Sequence, residues 1–294
     1  MYGYYPGCSL SGTAKEYDVS TRAIFKELGA ELAEIPDWTC CGASAVESVD
    51  RDLAMLLPAR NLALAEQRLD VDDILIPCSG CYLNLLNADQ KARSDKEAMR
   101  AINQGLALEG LSYAGRIRPR HILDILLNDL GPDRIADRVA RGFDDLLIAP
   151  YYGCQALRPY PVFDDPERPS SMTPLLHAIG ARTLDWDMGG KCCGASLMTT
   201  HKDMALKLVA VILGEVGEAD AVVTVCPMCQ MNLESFQVQA FQVSGQKEFV
   251  SILYLPQLLG LAMGLPEESI LLGKNMMVTE GVRKKLQGAF ALPA

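Results

Sequence analysis

The chain has 294 residues and a formal net charge of −10 at pH 7, with 49% hydrophobic and 22% charged residues. A chain of this length and composition buries a large core, which excludes a disordered protein and a coiled coil. Its acidic balance and its lack of a Lys/Arg cluster argue against a general nucleic-acid binder, because affinity for phosphate backbones depends on such clusters.

The sequence shows no targeting or membrane segment. It begins without the basic stretch and apolar run of a signal peptide. The longest apolar-rich stretch, residues 253–265, is interrupted by Pro256 and Gln257 and is too short to cross a bilayer. We therefore expect a soluble, cytoplasmic protein with no direct membrane insertion. In a reducing cytosol, the ten cysteines are better explained as metal ligands or redox groups than as disulfides.

Four short apolar runs predict buried parallel strands. They cover residues 2–5, 73–76, 146–152 and 219–225. Two runs end just before a single cysteine, and the other two end at a C-x-x-C motif that opens a helix. Parallel sheets place their sites at the C-terminal ends of strands, where helix amides favour anionic thiolates.

Helices are predicted between these strands. Thr13 and Glu16 form a capping box, in which each side chain satisfies a backbone amide of the other residue. The helix that follows ends at Gly29 and carries one apolar stripe. The stripe consists of Ala14, Tyr17, Ile24, Phe25 and Leu28. Two further amphipathic helices are predicted at residues 53–68 and 204–214, and a charged helical insertion at residues 86–115.

The alternation of strands and helices in both halves predicts an α/β fold. We expect two tandem pseudo-symmetric repeats, each a small, mostly parallel sheet flanked by helices. The boundary is expected near residues 141–145, which gives a first domain at 1–143 and a second at 144–294. The sequence contains no Walker motif and no G-x-G-x-x-G fingerprint, so it gives no support for nucleotide binding.

The cysteines form two matching sets of five, repeated at an offset near 150 residues. Each set reads C, then CCG, then C-x-x-C, and the block CCGAS is identical at residues 40–44 and 192–196. This agreement indicates a duplicated site rather than small core cysteines. The first set is Cys8, Cys40, Cys41, Cys78 and Cys81, and the second is Cys154, Cys192, Cys193, Cys226 and Cys229.

Five thiols in each half exceed the four ligands of a structural zinc ion. Neighbouring residues of an extended chain point in opposite directions, so an adjacent pair of cysteines suits different irons of one cluster better than a single ion. Gly42 and Gly194 lack a Cβ and allow backbone amides to approach sulfur. Iron–sulfur binding is therefore favoured, with zinc and dithiol redox pairs as the alternatives.

The doubled C…CCG…C-x-x-C pattern resembles the CCG domain of the HdrB-like family, which belongs to heterodisulfide reductase. The segment RNLALA at residues 60–65 also resembles this family. The resemblance covers nearly the whole chain. It implies two noncubane [4Fe-4S] clusters side by side, each held by one set of five cysteines. It also implies cleavage, or formation, of a mixed disulfide of two small thiols. The implied partners are a ferredoxin-like iron–sulfur protein (HdrC-like) and a flavoprotein (HdrA-like).

Two other functions remain open. Related CCG domains occur as electron-transfer subunits of lactate-, glycolate- or succinate-type dehydrogenases and in bacterial sulfur-oxidation complexes. Those dehydrogenase relatives often carry a degenerate cysteine set, whereas both sets are intact here. The third possibility is a two-site zinc scaffold for protein interaction.

Outside the cysteines, no motif assigns a catalytic residue. His201 follows Cys193 by eight positions and could protonate a leaving thiolate. His121 belongs to the basic run at residues 116–121, which is most simply a solvated face. Contact of that run with an anionic substrate group or an acidic partner is the alternative. Arg158 and Lys191 lie close to cysteine motifs and could make similar contacts.

Overall fold

The computed structural model describes residues 1–43, 45–245 and 248–286. The strands of these residues are Tyr2–Tyr4 (β1), Leu32–Glu34 (β2), Asp73–Ile76 (β3), Arg118–His121 (β4), Leu147–Tyr151 (β5), Arg182–Thr183 (β6), Ala221–Thr224 (β7) and Ser251–Tyr254 (β8). They form two four-stranded sheets, with the orders β2-β1-β3-β4 and β6-β5-β7-β8. Each strand pairs in parallel with its neighbours. The predicted α/β fold with two repeated sheets is confirmed.

Helices cover the sheets and connect the strands. The α-helices of the first half are Gly7–Ser11 (α1), Lys15–Glu27 (α2), Arg51–Arg68 (α3), Ser79–Ser94 (α4), Lys96–Leu106 (α5), Ile122–Ile125 (α6) and Pro132–Ala136 (α7). Those of the second half are Thr173–Ala178 (α8), Lys202–Gly214 (α9), Pro227–Ser235 (α10), Gln237–Ser244 (α11), Leu255–Ala262 (α12) and Glu280–Leu286 (α13). The helices predicted near residues 53 and 204 each begin two residues earlier than expected, and α4 and α5 supply the predicted insertion.

The predicted capping box is wrong. The helix begins at Lys15, its N-cap is Ala14, and no side chain caps it. The reason is that α1 already occupies residues 7–11, and the amide of Ala14 donates to the carbonyl of Ser9 in the turn between the two helices. Thr13 therefore lies in that turn, one residue before the N-cap. The apolar stripe of the helix is fully buried, as predicted.

The two halves share one hydrophobic core. Buried residues of the first sheet and of α2 belong to the same cluster as those of β8 and α12. Helix α2 packs on α12, where Ile24 lies against Gly260 and a Cβ on this glycine would clash with the side chain of Ile270. A second, smaller cluster lies within the second half. The division at residues 143 and 144 stays a prediction, and residues 287–294 of the predicted second domain lie outside the described residues.

Candidate metal centre

The first set of cysteines converges at the C-terminal edge of the first sheet. Cys8 follows β1 in α1, the adjacent pair follows β2, and the C-x-x-C motif follows β3 at the start of α4. The Sγ of Cys40 lies 3.7 Å from that of Cys8, and the Sγ of Cys41 lies 3.2 Å from that of Cys81. Cys8 and Cys40 are exposed, whereas the other three are buried. The group therefore has one side open to solvent.

The second set repeats this arrangement at the second sheet. Its cysteines follow β5, β6 and β7, and the Sγ atoms of Cys193 and Cys229 lie 3.5 Å apart. All five line one cavity of about 50 Å³. Cys192 is exposed and Cys154 is partly exposed, so this group also has a solvent side.

Two glycines give each group its backbone geometry. The amides of Gly42 and Gly194 donate to the sulfurs of Cys40 and Cys192, each at 3.4 Å, from backbones with φ of +75° and +79°. Gly7 and Gly153 have φ of +71° and +70°. A Cβ on either would stand 2.9 Å from the sulfur of the last cysteine in its set. Only glycine combines this backbone with such close approach.

Equivalent polar side chains hold the cysteine loops in the same way in both halves. The amides of Asn84 and Asn232 donate to the carbonyls of Cys41 and Cys193 at 2.9 and 2.7 Å. The hydroxyls of two buried tyrosines donate to the carbonyl before each adjacent pair, from Tyr5 to Thr39 and from Tyr151 to Lys191. The sulfur positions are thus fixed by the surrounding fold.

Neighbouring thiols shift each other's pKa. Hydrogen bonds from Cys40 and Cys81 lower the pKa of Cys41 to about 4. A hydrogen bond from Cys154 lowers the pKa of Cys192 to about 6, and the pKa of Cys154 is raised in turn. Each group therefore contains a thiol that deprotonates readily, and the thiolate is the form that binds metals.

The two groups meet at Cys78 and Cys226. Both side chains are buried, with 3% and 2% of their surface exposed, and the Tyr17 hydroxyl lies 3.0 Å from the carbonyls of Pro77 and Val225, which precede them. The neighbouring thiol of Cys226 raises the pKa of Cys78, whereas Cys229 and then Cys78 lower the pKa of Cys226. The halves also line each other's sites: Ser79 of the first half borders the cavity of the second set, and Gln155 lies beside Gly80.

The donor set fits a polynuclear iron–sulfur group. Thiolates about 2.3 Å from a tetrahedral metal lie roughly 3.8 Å apart, close to the 3.2–3.7 Å between the sulfurs here. Within the described residues, no three His, Cys, Asp or Glu side chains already stand as close together as they would around a metal ion. Clustered cysteines in both halves suit iron–sulfur binding.

Three other candidate residues from the sequence, His201, Arg158 and Lys191, differ in their relation to the cysteine groups. His201 is exposed at the N-cap of α9 and does not border the cavity of the second set. Arg158 donates to the carbonyl of Gly190 and pairs with Glu167, so it braces the segment before Cys192. The carbonyl of Lys191 accepts a hydrogen bond from the hydroxyl of Tyr151.

The interpretation of His121 as part of a solvated face is wrong. Its side chain is fully buried at the end of β4, and its burial lowers its pKa to about 4. Arg116 and Arg118 of the same run are exposed and pair with Glu66 and Asp73. Sequence reasoning also missed Ser79 and Phe163, which contact His121. Their positions in the sequence could have identified them, because Ser79 follows Cys78 directly and Phe163 follows Cys154 by nine residues.

The cysteine-rich domain family called CCG matches residues 2–86 and again residues 148–234. The two matches include all ten cysteines. The duplication predicted from the sequence is confirmed.

Three curated relatives align over most of this chain and most of their own length. The "8-methylmenaquinol:fumarate reductase membrane anchor subunit" of Wolinella succinogenes is 35% identical over 94% of this chain and 96% of its own. An HdrB-like heterodisulfide reductase protein of Archaeoglobus profundus is 31% identical over 92% of each chain. The HdrB protein of the ferredoxin:CoB-CoM heterodisulfide reductase of Methanosarcina mazei is 28% identical over 92% of this chain and 91% of its own. The expected resemblance is confirmed.

A solved structure supports the fold alone. The crystal structure of a hypothetical protein from Helicobacter pylori superposes with a TM-score of 0.74 at 16% identity, over 94% of this chain and 52% of that one. Among the described residues, none of the helices is both long enough and apolar enough to cross a bilayer.

Proposed function

The chain belongs to the CCG cysteine-rich domain family, and from this premise we propose that it is the cluster-carrying subunit of an oxidoreductase complex. One [4Fe-4S] cluster would be held by each set of five cysteines. The observation that carries the proposal is the placement of the two sets side by side: the Tyr17 hydroxyl bonds the carbonyls before buried Cys78 and Cys226, and Ser79 of the first half lines the cavity of the second set.

The reaction that we propose is reductive cleavage of a disulfide of two small thiols, or its reverse. One disulfide, two electrons and two protons give two thiols, so the S–S bond breaks and each sulfur gains one electron and one proton. The clusters would supply iron that binds sulfur and accept electrons one at a time. The protein's own contribution is to hold two such centres side by side, each open to solvent through Cys8 and Cys40 or through Cys192.

The electrons would come from partner proteins of the same complex. The relatives named above are parts of heterodisulfide reductase or of fumarate reductase. We propose that the immediate donor is a ferredoxin-like iron–sulfur protein and that a flavoprotein supplies this donor, in the cytoplasm.

A second candidate is electron transfer in a complex of the succinate or fumarate type. It is favoured by the 35% identity to the fumarate reductase relative, which spans 94% of this chain. In that case the two centres would relay electrons without binding a disulfide.

The first test of the proposal is the metal and sulfide content of the protein. Protein purified without oxygen should contain about eight irons and as many acid-labile sulfides per chain if both sets hold four-iron clusters. Tightly bound zinc without sulfide would overturn the proposal in favour of a zinc scaffold.

Activity then separates the two candidates. The native complex, isolated with its partner proteins, is supplied with a reductant and either mixed disulfides or fumarate. Consumption of a disulfide supports the first candidate. Reduction of fumarate with no activity on disulfides would favour the second.

A further inference from the structure

A buried hydrogen-bonded pair, Ser79 and His121, connects the first half to the cysteine cavity of the second. His121 is fully buried, stacks on Phe163 with 5.5 Å between ring centroids, and meets the edge of Tyr82 at 5.3 Å. Two ring contacts at different angles hold the imidazole in one orientation. The Nε2 atom lies 3.2 Å from the Oγ of Ser79.

The backbone determines which ring nitrogen carries the proton. The amide of Leu123 donates to Nδ1 of His121 at 3.3 Å. Because Nδ1 accepts a hydrogen bond, the proton of the ring lies on Nε2. The Nε2–H group therefore donates to the Oγ of Ser79, and the hydroxyl hydrogen of Ser79 is left to donate elsewhere.

The second-half cavity is the place where that hydrogen can go. The carbonyl of Val225 is 3.5 Å from the hydroxyl, which is too long for a strong hydrogen bond. Ser79 borders the cavity that all five cysteines of the second set line. Sulfur bound in this cavity would give the hydroxyl a charged acceptor, and such hydrogen bonds are stronger than those to neutral groups.

At the first set, the residues that the structure describes at the equivalent positions supply no such hydrogen bond. In the duplicated motif, Ser79 corresponds to Pro227, which has no donor group. His121 corresponds to Tyr254, since each ends the last strand of its sheet, and the Tyr254 hydroxyl donates to Gln230. The hydrogen-bonded pair of Ser79 and His121 thus has no counterpart at the equivalent positions of the other half.

We propose that Ser79, oriented by His121, donates a hydrogen bond to sulfur at the second centre and raises its reduction potential above that of the first. A donor to sulfur stabilises the additional negative charge of the reduced state. Electrons then move from the first half to the second. This inference rests on the proposed function, because it requires a cluster in each half.

The experiment is a redox titration of anaerobically purified Ser79→Ala, followed by electron paramagnetic resonance. Loss of one hydrogen bond of about 1.4 kcal/mol is expected to lower the reduced-to-oxidised ratio of the higher-potential centre about tenfold, or about 59 mV for a one-electron couple. The lower potential should not change. Ser79→Thr, which keeps a hydroxyl, should retain both wild-type values. Ser20→Ala is the matched control, because Ser20 is buried but donates within its own helix to Glu16.

Other outcomes are equally decisive. Two unchanged potentials in Ser79→Ala, or a shift of the lower one alone, would overturn the inference. Cys193→Ser identifies the signal of the second half. If Ser79→Ala loses iron, the test passes to His121→Gln, which leaves the hydroxyl in place without its fixed orientation. This variant should also lower the higher reduction potential. An unchanged potential in His121→Gln would overturn the inference. Wild-type protein without iron or sulfide would refute the proposed function itself.

Discussion

Tyr17 stacks face to face on Tyr254, with 4.2 Å between ring centroids and 5° between ring planes. Its hydroxyl lies 3.0 Å from the carbonyls of both Pro77 and Val225. These residues directly precede Cys78 and Cys226, the buried first cysteines of the two C-x-x-C motifs. One buried side chain of the first half therefore holds both C-x-x-C loops at a fixed separation.

Removal of this hydroxyl should weaken the joint between the halves. Tyr17→Phe keeps the ring stack but removes the hydroxyl that the two buried carbonyls share, so we expect the free energy of unfolding to fall by about 1–3 kcal/mol. Chemical denaturation measures it. Tyr2→Phe is the control, because Tyr2 bonds Asp129 at the exposed surface and its loss should cost less than about 1 kcal/mol. Equal effects of the two changes would contradict the role given to Tyr17.

The stack has a counterpart that the sequence only partly predicted. Phe163 follows Cys154 by nine residues, as Tyr17 follows Cys8, and it stacks on His121 at the end of β4 as Tyr17 stacks on Tyr254 at the end of β8. The apolar stripe predicted that Tyr17 is buried. It could not predict a partner from the other half, because periodicity along one helix carries no information about which surface covers that helix.

The close approach of Gly7 and Gly153 to sulfur gives a second prediction. Gly7→Ala places a Cβ 2.9 Å from the sulfur of Cys81, and Gly153→Ala does the same at Cys229. The sulfur must move, so we expect each variant to lose the iron of its own half. Metal analysis measures the loss.

Gly110→Ala separates this contact from backbone strain. Gly110 has the same left-handed backbone, with φ of +70°, but a Cβ there would meet nothing within 4 Å. It should cost about 1–2 kcal/mol of stability and keep its full iron content. If Gly110→Ala loses as much iron as the other two variants, the loss reflects strain rather than contact with sulfur.

Much of the site was predictable from the spacing of its cysteines, whereas its polar surroundings were not. Strand ends and the C-x-x-C motifs follow from short apolar runs, and β3 has the predicted bounds. Thr13 failed as a cap because α1 forms a turn that the local pattern does not show. His121 was misassigned because it ends a run of arginines, of which Arg116 and Arg118 are exposed, and only the alternation of a strand places its side chain inside.

Single cysteine changes test the division of ligands between the halves. Cys41→Ser removes a sulfur 3.2 Å from that of Cys81, and Cys193→Ser removes one 3.5 Å from that of Cys229. Each variant should lose or rearrange one cluster while the other half keeps its own, so iron should fall to about four per chain when one cluster is lost. Unchanged iron content and spectra in both variants would refute these residues as ligands.

The lowered pKa of Cys192 gives a prediction for protein from which the metal has been removed. Cys154 donates to Cys192 and lowers its pKa to about 6, so Cys192 is mostly thiolate above that pH. Because only the thiolate is nucleophilic, its alkylation by iodoacetamide should rise with a midpoint near pH 6. In Cys154→Ala the donor is gone and the midpoint should move toward the ordinary thiol value of about 8.5. Mass spectrometry of the alkylated peptides follows Cys192 alone, with buried Cys229 as the internal control that should stay unmodified until the protein unfolds. A midpoint that is the same with and without Cys154 would mean that the exposed thiol is not activated by its neighbour.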